Sequence, residues 1–142
     1  LQITPPGEFW ADFGFLASYE HQTLARQPDA VEFGPLIEKH SGRFTYRINL
    51  IWEKQVGSGA EGQYMLRSSY SVTYALSGRF RPGIEAYVRP NDSAYQAGPI
   101  VAGEWHVPGT TAGLEYRVGV VLGINNAAPR GTWLAQVEYE FL

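Results

Sequence analysis

The sequence predicts an all-β protein, an antiparallel up-and-down transmembrane β-barrel with eight strands. Three observations predict this class. Apolar and polar residues alternate with period two in nearly every segment, helical spacing of apolar residues is nowhere sustained, and short connections alternate with longer ones. A chain of 142 residues is long enough for one domain, so residues 1–142 are assigned to a single β-barrel domain.

In the first half of the chain, four segments place apolar side chains on one face and glycine, small polar and charged side chains on the other. They span residues 12–20, 31–38, 44–53 and 66–76. Their apolar faces are carried in turn by Phe13 and Phe15, by Val31 and Phe33, by Phe44 to Trp52, and by Leu66 to Leu76. Strands with two different faces produce this pattern.

Four further segments repeat the alternation in the second half, over residues 80–89, 100–107, 114–125 and 133–141. Phe80 and Ile84 carry the apolar face of the fifth, and the sixth, around Val101 and Trp105, is the weakest. The seventh and eighth segments run from Leu114 to Ile124 and from Trp133 to Phe141. Together with the first half they predict eight strands.

The predicted connections differ in length at the two ends of the strands. Short ones are expected at Ser41-Gly42, at Ser77-Gly78 and around Pro108-Gly109, which we call the short-turn end. Longer ones are expected at residues 21–30, 54–63, 89–98 and 125–132, which we call the long-loop end. Outer-membrane barrels show this asymmetry between tight turns and long loops.

The first residues also alternate. Leu1 to Thr4 read as the tail of a strand, and Pro5-Pro6-Gly7 as another short turn. We therefore expect a preceding strand and an N-terminally truncated barrel with more than eight strands in all.

Composition narrows the function classes. Charged residues make up 18% of the chain, aromatic residues 14%, and the formal net charge is −3, which gives no electrostatic case for a nucleic-acid partner. The chain has no cysteine, which excludes disulfides and thiolate metal sites. His21, His40 and His106 show no metal-ligand spacing, and no nucleophile or phosphate-binding motif occurs. No enzymatic activity, catalytic residue, metal or cofactor is predicted.

Alternation alone does not say which face points inward. In a soluble barrel, Phe13, Ile48, Val72 and Leu122 would line a cavity for an apolar ligand; in a membrane barrel the same side chains face lipid. The absence of charge from the apolar faces and the arginine–carboxylate chemistry of the polar faces favour the membrane. So do two aromatic bands at opposite strand ends, which predict an interface belt of Trp10, Trp52, Trp105, Trp133, Tyr139 and Phe141.

The charged residues of the polar faces are predicted to line a lumen. Those expected there are Arg47, Arg67, Arg81, Glu85, Glu115, Arg117, Glu138 and Glu140. They either form a salt-bridge network that satisfies inward polar groups or line a passage, and the two interpretations are compatible. Because carboxylates outnumber arginines on these faces, a passage would favour cations or polar neutral solutes.

The ending Val137–Leu142 resembles the terminal strand that the barrel-assembly machinery reads in bacterial outer-membrane proteins, although Leu142 follows the aromatic Phe141. More broadly, Gly7–Asp12, Glu32–Glu38 and Asn49–Lys54 resemble uncharacterised proteobacterial outer-membrane barrels. These are similar to the transporter-like family labelled as phenol-degradation MetA-pathway proteins. The resemblance implies an outer-membrane protein whose partners are the lipid bilayer and the assembly machinery.

The resulting expectation is a passive channel or transporter-like scaffold with a charged lumen. Two alternatives stay open. One is a structural barrel that anchors or sheathes a partner protein or associates with its own copies. A plugged lumen and ordered long loops would support this alternative. The other is the soluble barrel with an apolar ligand.

Overall fold

The computed structural model describes residues 1–5, 7–21, 28–60, 62–106 and 113–140. Its strands form one antiparallel sheet in which each strand pairs with its neighbours in the sequence, in the order β1 to β8. They are β1 (Asp12–Glu20), β2 (Asp29–Ser41), β3 (Phe44–Val56), β4 (Tyr64–Tyr74), β5 (Arg81–Arg89), β6 (Ala94–His106), β7 (Gly113–Gly123) and β8 (Gly131–Glu140). The predicted eight-stranded, all-β, up-and-down topology is confirmed.

Within the described ranges, no helix is long and apolar enough to cross a membrane. In the same part of the chain β1 pairs only with β2 and the N-terminal segment, and β8 only with β7, so the sheet is a curled half-barrel. The predicted turn around Pro108-Gly109 and the aromatic Phe141 lie outside the described residues.

One predicted connection is wrong. The long loop expected over residues 89–98 is a tight turn over 90–93, because β6 begins at Ala94 and pairs with β5 from the Arg89–Ala94 pair onward. The turn closes when the Ser93 backbone N–H donates to the Pro90 carbonyl over 3.1 Å, with Ser93 at a positive φ of 51°. Apart from Tyr95, the first residues of β6 are small or polar, so their alternation is weak in the sequence. Short and long connections therefore do not alternate strictly.

The N-terminal residues extend the sheet beyond β1. The Phe15 N–H donates to the Leu1 carbonyl over 2.7 Å, and the Ile3 N–H donates to the Phe13 carbonyl over 2.8 Å. An antiparallel bridge joins Gln2 to Gly14 between them. This confirms that residues 1–4 run as an extended segment along the β1 edge.

The polar face of the sheet is the concave one. Arg117 of β7 donates through Nη2 to Ser71 Oγ of β4 over 2.9 Å, and Arg67 of β4 contacts Glu32 of β2, so polar-face side chains from strands that are not neighbours meet. Such contacts require the sheet to curl toward that face. The opposite, predominantly apolar face is consequently the convex one, where Leu122 is 55% exposed. The arrangement of a soluble barrel with Leu122 lining an inner cavity is not the one observed.

A repeated Gly-Pro pair lies at two places where the strand pairing is interrupted. Gly34-Pro35 of β2 falls opposite residues 50–51 of β3, and Gly98-Pro99 of β6 falls opposite residues 120–121 of β7. Proline has no N–H to donate to the ladder, and glycine lets the neighbouring backbone approach closely on the concave side. A Cβ at Gly98 would overlap the Val120 carbonyl oxygen, and one at Gly34 would overlap that of Leu50.

Replacing Gly98 by alanine therefore lowers the free energy of unfolding by about 2–3 kcal/mol, because the added methyl group meets backbone that can move only if the sheet opens. Gly78→Ala is the matched control, since a Cβ there meets nothing within 4 Å. Urea unfolding of both variants in lipid vesicles measures the difference. Equal unfolding midpoints for the two variants would contradict the steric requirement for glycine at position 98.

Candidate lumen and lipid-facing surface

The convex face presents large apolar side chains to the surroundings. At mid-height, Tyr70 is 41% exposed, Ile84 59% and Val118 43%. A shallow groove of about 370 Å³ runs between Tyr46, Ile48, Tyr70, Val72 and Ile84 on this face. Contiguous exposed apolar surface of this kind marks contact with a membrane or a partner.

Both ends of the convex face carry exposed aromatic side chains. Trp10, Trp105 and Tyr139 lie at the short-turn end, where Trp10 is 69% exposed. Trp52 and Trp133 lie at the long-loop end, where Trp52 stacks on Phe33 with ring centroids 6.3 Å apart. These aromatic residues therefore lie at the strand ends predicted for them from the sequence.

Cations accompany these aromatic rings. Lys39 Nζ lies 4.9 Å from the Trp10 ring centroid and Arg79 Cζ lies 4.7 Å from that of Trp105, both at the short-turn end. At the long-loop end, Lys54 Nζ lies 4.9 Å from the Tyr64 centroid. These cations were not among the residues predicted from the sequence. The signal was available, because the only two lysines of the chain continue the apolar phase of the second and third segments.

The concave face carries a network of ion pairs. Arg67 contacts Glu32 and lies 3.3 Å from Glu53, measured from Nη2 to Oε2. Arg47 pairs with Glu38, and His40 Nε2 also lies 2.9 Å from that carboxylate. A separate pair joins Arg81 Nη2 to Glu104 Oε2 over 3.3 Å.

One cluster crosses the middle of the concave face. Arg117 Nε lies 3.2 Å from Glu85 Oε2, and the Tyr87 hydroxyl donates to Glu85 Oε1 over 2.9 Å. The same guanidinium donates to Ser71, so β7 is tied to β4 and β5 across the interior. Glu85 is only 2% exposed, and its burial makes this pair the least hydrated one in the network.

The predicted lumen residues lie on the concave face in two groups. Arg47, Arg81, Glu115, Arg117 and Glu138 line one small pocket in the half nearer the short-turn end. Arg67 lies apart from them, toward the long-loop end, and Glu85 lies beside Arg117. For Glu140 only the backbone position in β8 is described.

The bonding partners of these arginines were the less predictable part of the site. Glu32, Glu38, Glu53 and Glu104 follow the polar phase of their strands and supply most of the partner carboxylates. The register joins Glu38 directly to Arg47, so that pair was available to sequence reasoning once the second turn was placed. The hydrogen bond from Arg117 to Ser71 could not be predicted from the sequence, because it depends on the curl of the sheet.

The connection after β7, residues 124–130, folds over the concave face. Ala128 is 8% exposed, and the carbonyl oxygens of Ala128 and Pro129 crowd the concave side of Gly123. Gln96 Nε2 donates to the Pro129 carbonyl over 3.2 Å and to Thr132 Oγ1 over 3.0 Å, which fixes this connection to β6. The sequence indicated a long polar loop here without indicating that it turns inward.

Within the described ranges, no group of three or more histidine, aspartate or glutamate side chains is arranged to hold a metal ion. Comparison with known proteins identified no matching family model, no similar curated protein and no similar solved structure.

Proposed function

We propose that this chain belongs to an outer-membrane β-barrel that acts as a passive channel or transporter-like scaffold. Its convex face contacts the lipid bilayer, and its concave face forms the wall of a polar lumen. The observation that carries the proposal is the opposition of the two faces: exposed Tyr70, Ile84 and Val118 on one, and the ion pairs of Arg67 and Arg117 on the other.

The height of the apolar band supports this placement. From Phe44 to Lys54, β3 covers roughly 33 Å at about 3.3 Å per residue. A strand tilted by about 40°, as in membrane barrels, spans about 25 Å of bilayer over that length. The ends of the band carry Lys39 on Trp10 and Lys54 on Tyr64, where long cationic side chains reach from the apolar surface to water.

The concave face carries more carboxylates than cations. Glu115 of β7 and Glu138 of β8 are direct cross-strand neighbours, and among the described residues neither has an ion-pair partner. They line a small pocket together with Arg47, Arg81 and Arg117, and these arginines pair with other glutamates. A passage along this face would favour cations or polar neutral solutes.

The proposed partners follow from the same placement. The bilayer covers the convex face, and the segment that ends the chain would engage the barrel-assembly machinery. β8 is suited to this role because, in the part that the structure describes, it pairs only on its β7 side. An exposed strand edge can accept a further strand by main-chain hydrogen bonds.

One observation favours a second candidate, a structural barrel that anchors a partner or its own copies. The inward connection over residues 124–130 and the Arg117 cluster both occupy the concave face. An occupied interior limits passage, and conductance distinguishes the two functions.

Reconstitution in planar bilayers tests the channel. The folded protein produces discrete conductance steps, and under a KCl gradient the reversal potential shows cation preference. Replacing both Glu115 and Glu138 by glutamine roughly halves the permeability ratio of K⁺ to Cl⁻, because it removes two carboxylates that pair with no described arginine. The control is Glu8→Gln, a charge removed from the exposed segment before β1. Folded protein without conductance would favour the structural barrel.

A further inference from the structure

The concave face contains apolar side chains that the ion-pair network does not use. Leu16, Leu36 and Ile51 line a pocket of about 320 Å³ over β1–β4. Val121 and Leu134 line a second pocket of about 370 Å³ over β6–β8. Both pockets lie in the half of the concave face nearer the long-loop end.

The two pockets meet at β5. Tyr87 and Arg89 line both of them, and Arg89 also lines a smaller pocket with Glu53 and Asp92. We call the joined pockets the Arg89 groove, lined by Leu16, Leu36, Ile51, Tyr87, Arg89, Val121 and Leu134. The groove is mostly apolar, and its polar lining includes a second arginine, Arg67, beside Glu32.

Arg89 differs from the other arginines of the concave face. Arg47, Arg67, Arg81 and Arg117 each pair with at least one glutamate, whereas no described carboxylate lies within ion-pair distance of Arg89. A guanidinium presents five N–H donors in a planar fork that matches a carboxylate. The donors of Arg89 are therefore unused by the described protein groups at the edge of the groove.

Most other polar side chains of the groove already have protein partners. Arg67 pairs with Glu32, and Asn49 donates to Ser69. Gln96 donates to Pro129 and Thr132, and the Tyr87 hydroxyl donates to Glu85. The inward connection contributes Ala127 and Pro129 as a further wall of the β6–β8 pocket. An apolar cavity with few convergent polar groups is typical of a site for a small molecule.

We propose that the Arg89 groove binds a small amphipathic monocarboxylate in its β6–β8 part, with its apolar body against Leu134 and Pro129 and its carboxylate on Arg89. This rests on the proposed function, because it names a ligand class for the same lumen. A single negative charge fits, because one unpaired guanidinium is available and Asp92 lies at the same rim. Glu115 and Glu138 lie in a separate pocket beside Arg117, in the other half of the face.

Titration calorimetry of the folded protein in micelles, at a fixed detergent concentration, tests this with hexanoate, 1-hexanol and hexylammonium. Hexanoate binds saturably, 1-hexanol binds about tenfold more weakly, and hexylammonium does not bind. Arg89→Gln weakens hexanoate binding by about tenfold and leaves 1-hexanol unchanged, because it removes a charged hydrogen bond. Arg43→Gln is the matched control, in the exposed turn between β2 and β3 at the opposite end of the sheet.

A second variant tests the apolar half of the groove. Leu134→Ala weakens hexanoate and 1-hexanol by a similar factor, roughly threefold to tenfold, since it removes apolar contact from both ligands. Hexylammonium binding as strong as hexanoate binding, or equal effects of Arg89→Gln and Arg43→Gln, would overturn the inference. So would the absence of saturable hexanoate binding.

The two proposals fail separately. Calorimetry does not depend on ion flow, so a protein that conducts but does not bind hexanoate overturns the ligand site alone. A protein that binds hexanoate through Arg89 but does not conduct overturns the channel, and the groove then belongs to the structural barrel.

Discussion

Replacing Val118 by arginine lowers the free energy of unfolding in a lipid bilayer by about 2–4 kcal/mol. Val118 lies near the middle of β7 on the convex face, between the aromatic bands, and is 43% exposed. In water, an exposed valine replaced by arginine changes stability by only about 0.5 kcal/mol in either direction. A large loss is expected if the convex face contacts lipid as proposed, because the guanidinium would then have to leave water for hydrocarbon.

The concave neighbour provides the matched control. Gln136 is exposed on the polar face of β8, paired with Arg117, one position away from the residue that pairs with Val118. Gln136→Arg changes the free energy of unfolding by less than about 1 kcal/mol, because its side chain stays hydrated. Reversible urea unfolding in phospholipid vesicles compares the variants. Equal losses at the two sites would place both faces in the same environment.

Replacing Arg117 by methionine lowers the free energy of unfolding by about 3–5 kcal/mol. The substitution leaves the Glu85 carboxylate, which is 2% exposed, without its cation, and it also removes the bond to Ser71 that spans the concave face. Breaking one side of a buried pair costs more than the pair itself contributes, because the remaining charge stays desolvated.

A double substitution separates that effect from simple loss of packing. Adding Glu85→Gln to Arg117→Met recovers most of the lost stability, since a neutral amide replaces the stranded charge. Arg47→Met is the control at a more hydrated pair, because Arg47 is 35% exposed and its partner Glu38 also contacts His40. It lowers stability by less than about 1 kcal/mol. Similar losses of stability for Arg47→Met and Arg117→Met would contradict a special contribution of the buried contacts that Arg117 makes with Glu85 and Ser71.

The order of the strands could be predicted because most of them show clear alternation of apolar and polar residues. Segments such as Phe44–Val56 alternate over their whole length, and a meander with short turns leaves one simple order. The beginning of β6 could not be predicted in the same way. Its first residues, Ala94 to Gly98, include a single large apolar side chain, Tyr95, so the alternation is weak and the strand is recognised by its pairing with β5.

The composition of the concave face was predictable, but its contacts were not. Strand phase placed Arg67 and Arg117 on the inner face, and adjacent pairing would have found Glu38 beside Arg47. The bond from Arg117 to Ser71 joins β7 to β4, so it depends on how far the sheet curls. The close approach of neighbouring backbone at Gly34 and Gly98 likewise depends on the register, which the alternation does not give.

The Arg89 groove could not be predicted from the sequence for the same reason, because it depends on contacts between strands that are not neighbours. Its walls come from strands as far apart as β1 and β8 and from the inward connection over residues 124–130. The alternation predicts on which face of the sheet each side chain lies. It does not predict which arginine has guanidinium N–H groups that no carboxylate accepts. That distinction follows from the ion pairs of the other arginines.

The membrane placement of the convex face is tested most directly by fluorescence quenching at single cysteines, which the cysteine-free sequence makes simple. A bimane label is placed at Val118→Cys or at Gln136→Cys in protein reconstituted into vesicles. The label at Val118→Cys is quenched by lipids with a nitroxide deep in the acyl chain and is protected from iodide, while the label at Gln136→Cys shows the reverse. Iodide quenching at Val118→Cys without quenching by the nitroxide lipid would contradict a lipid-facing convex surface.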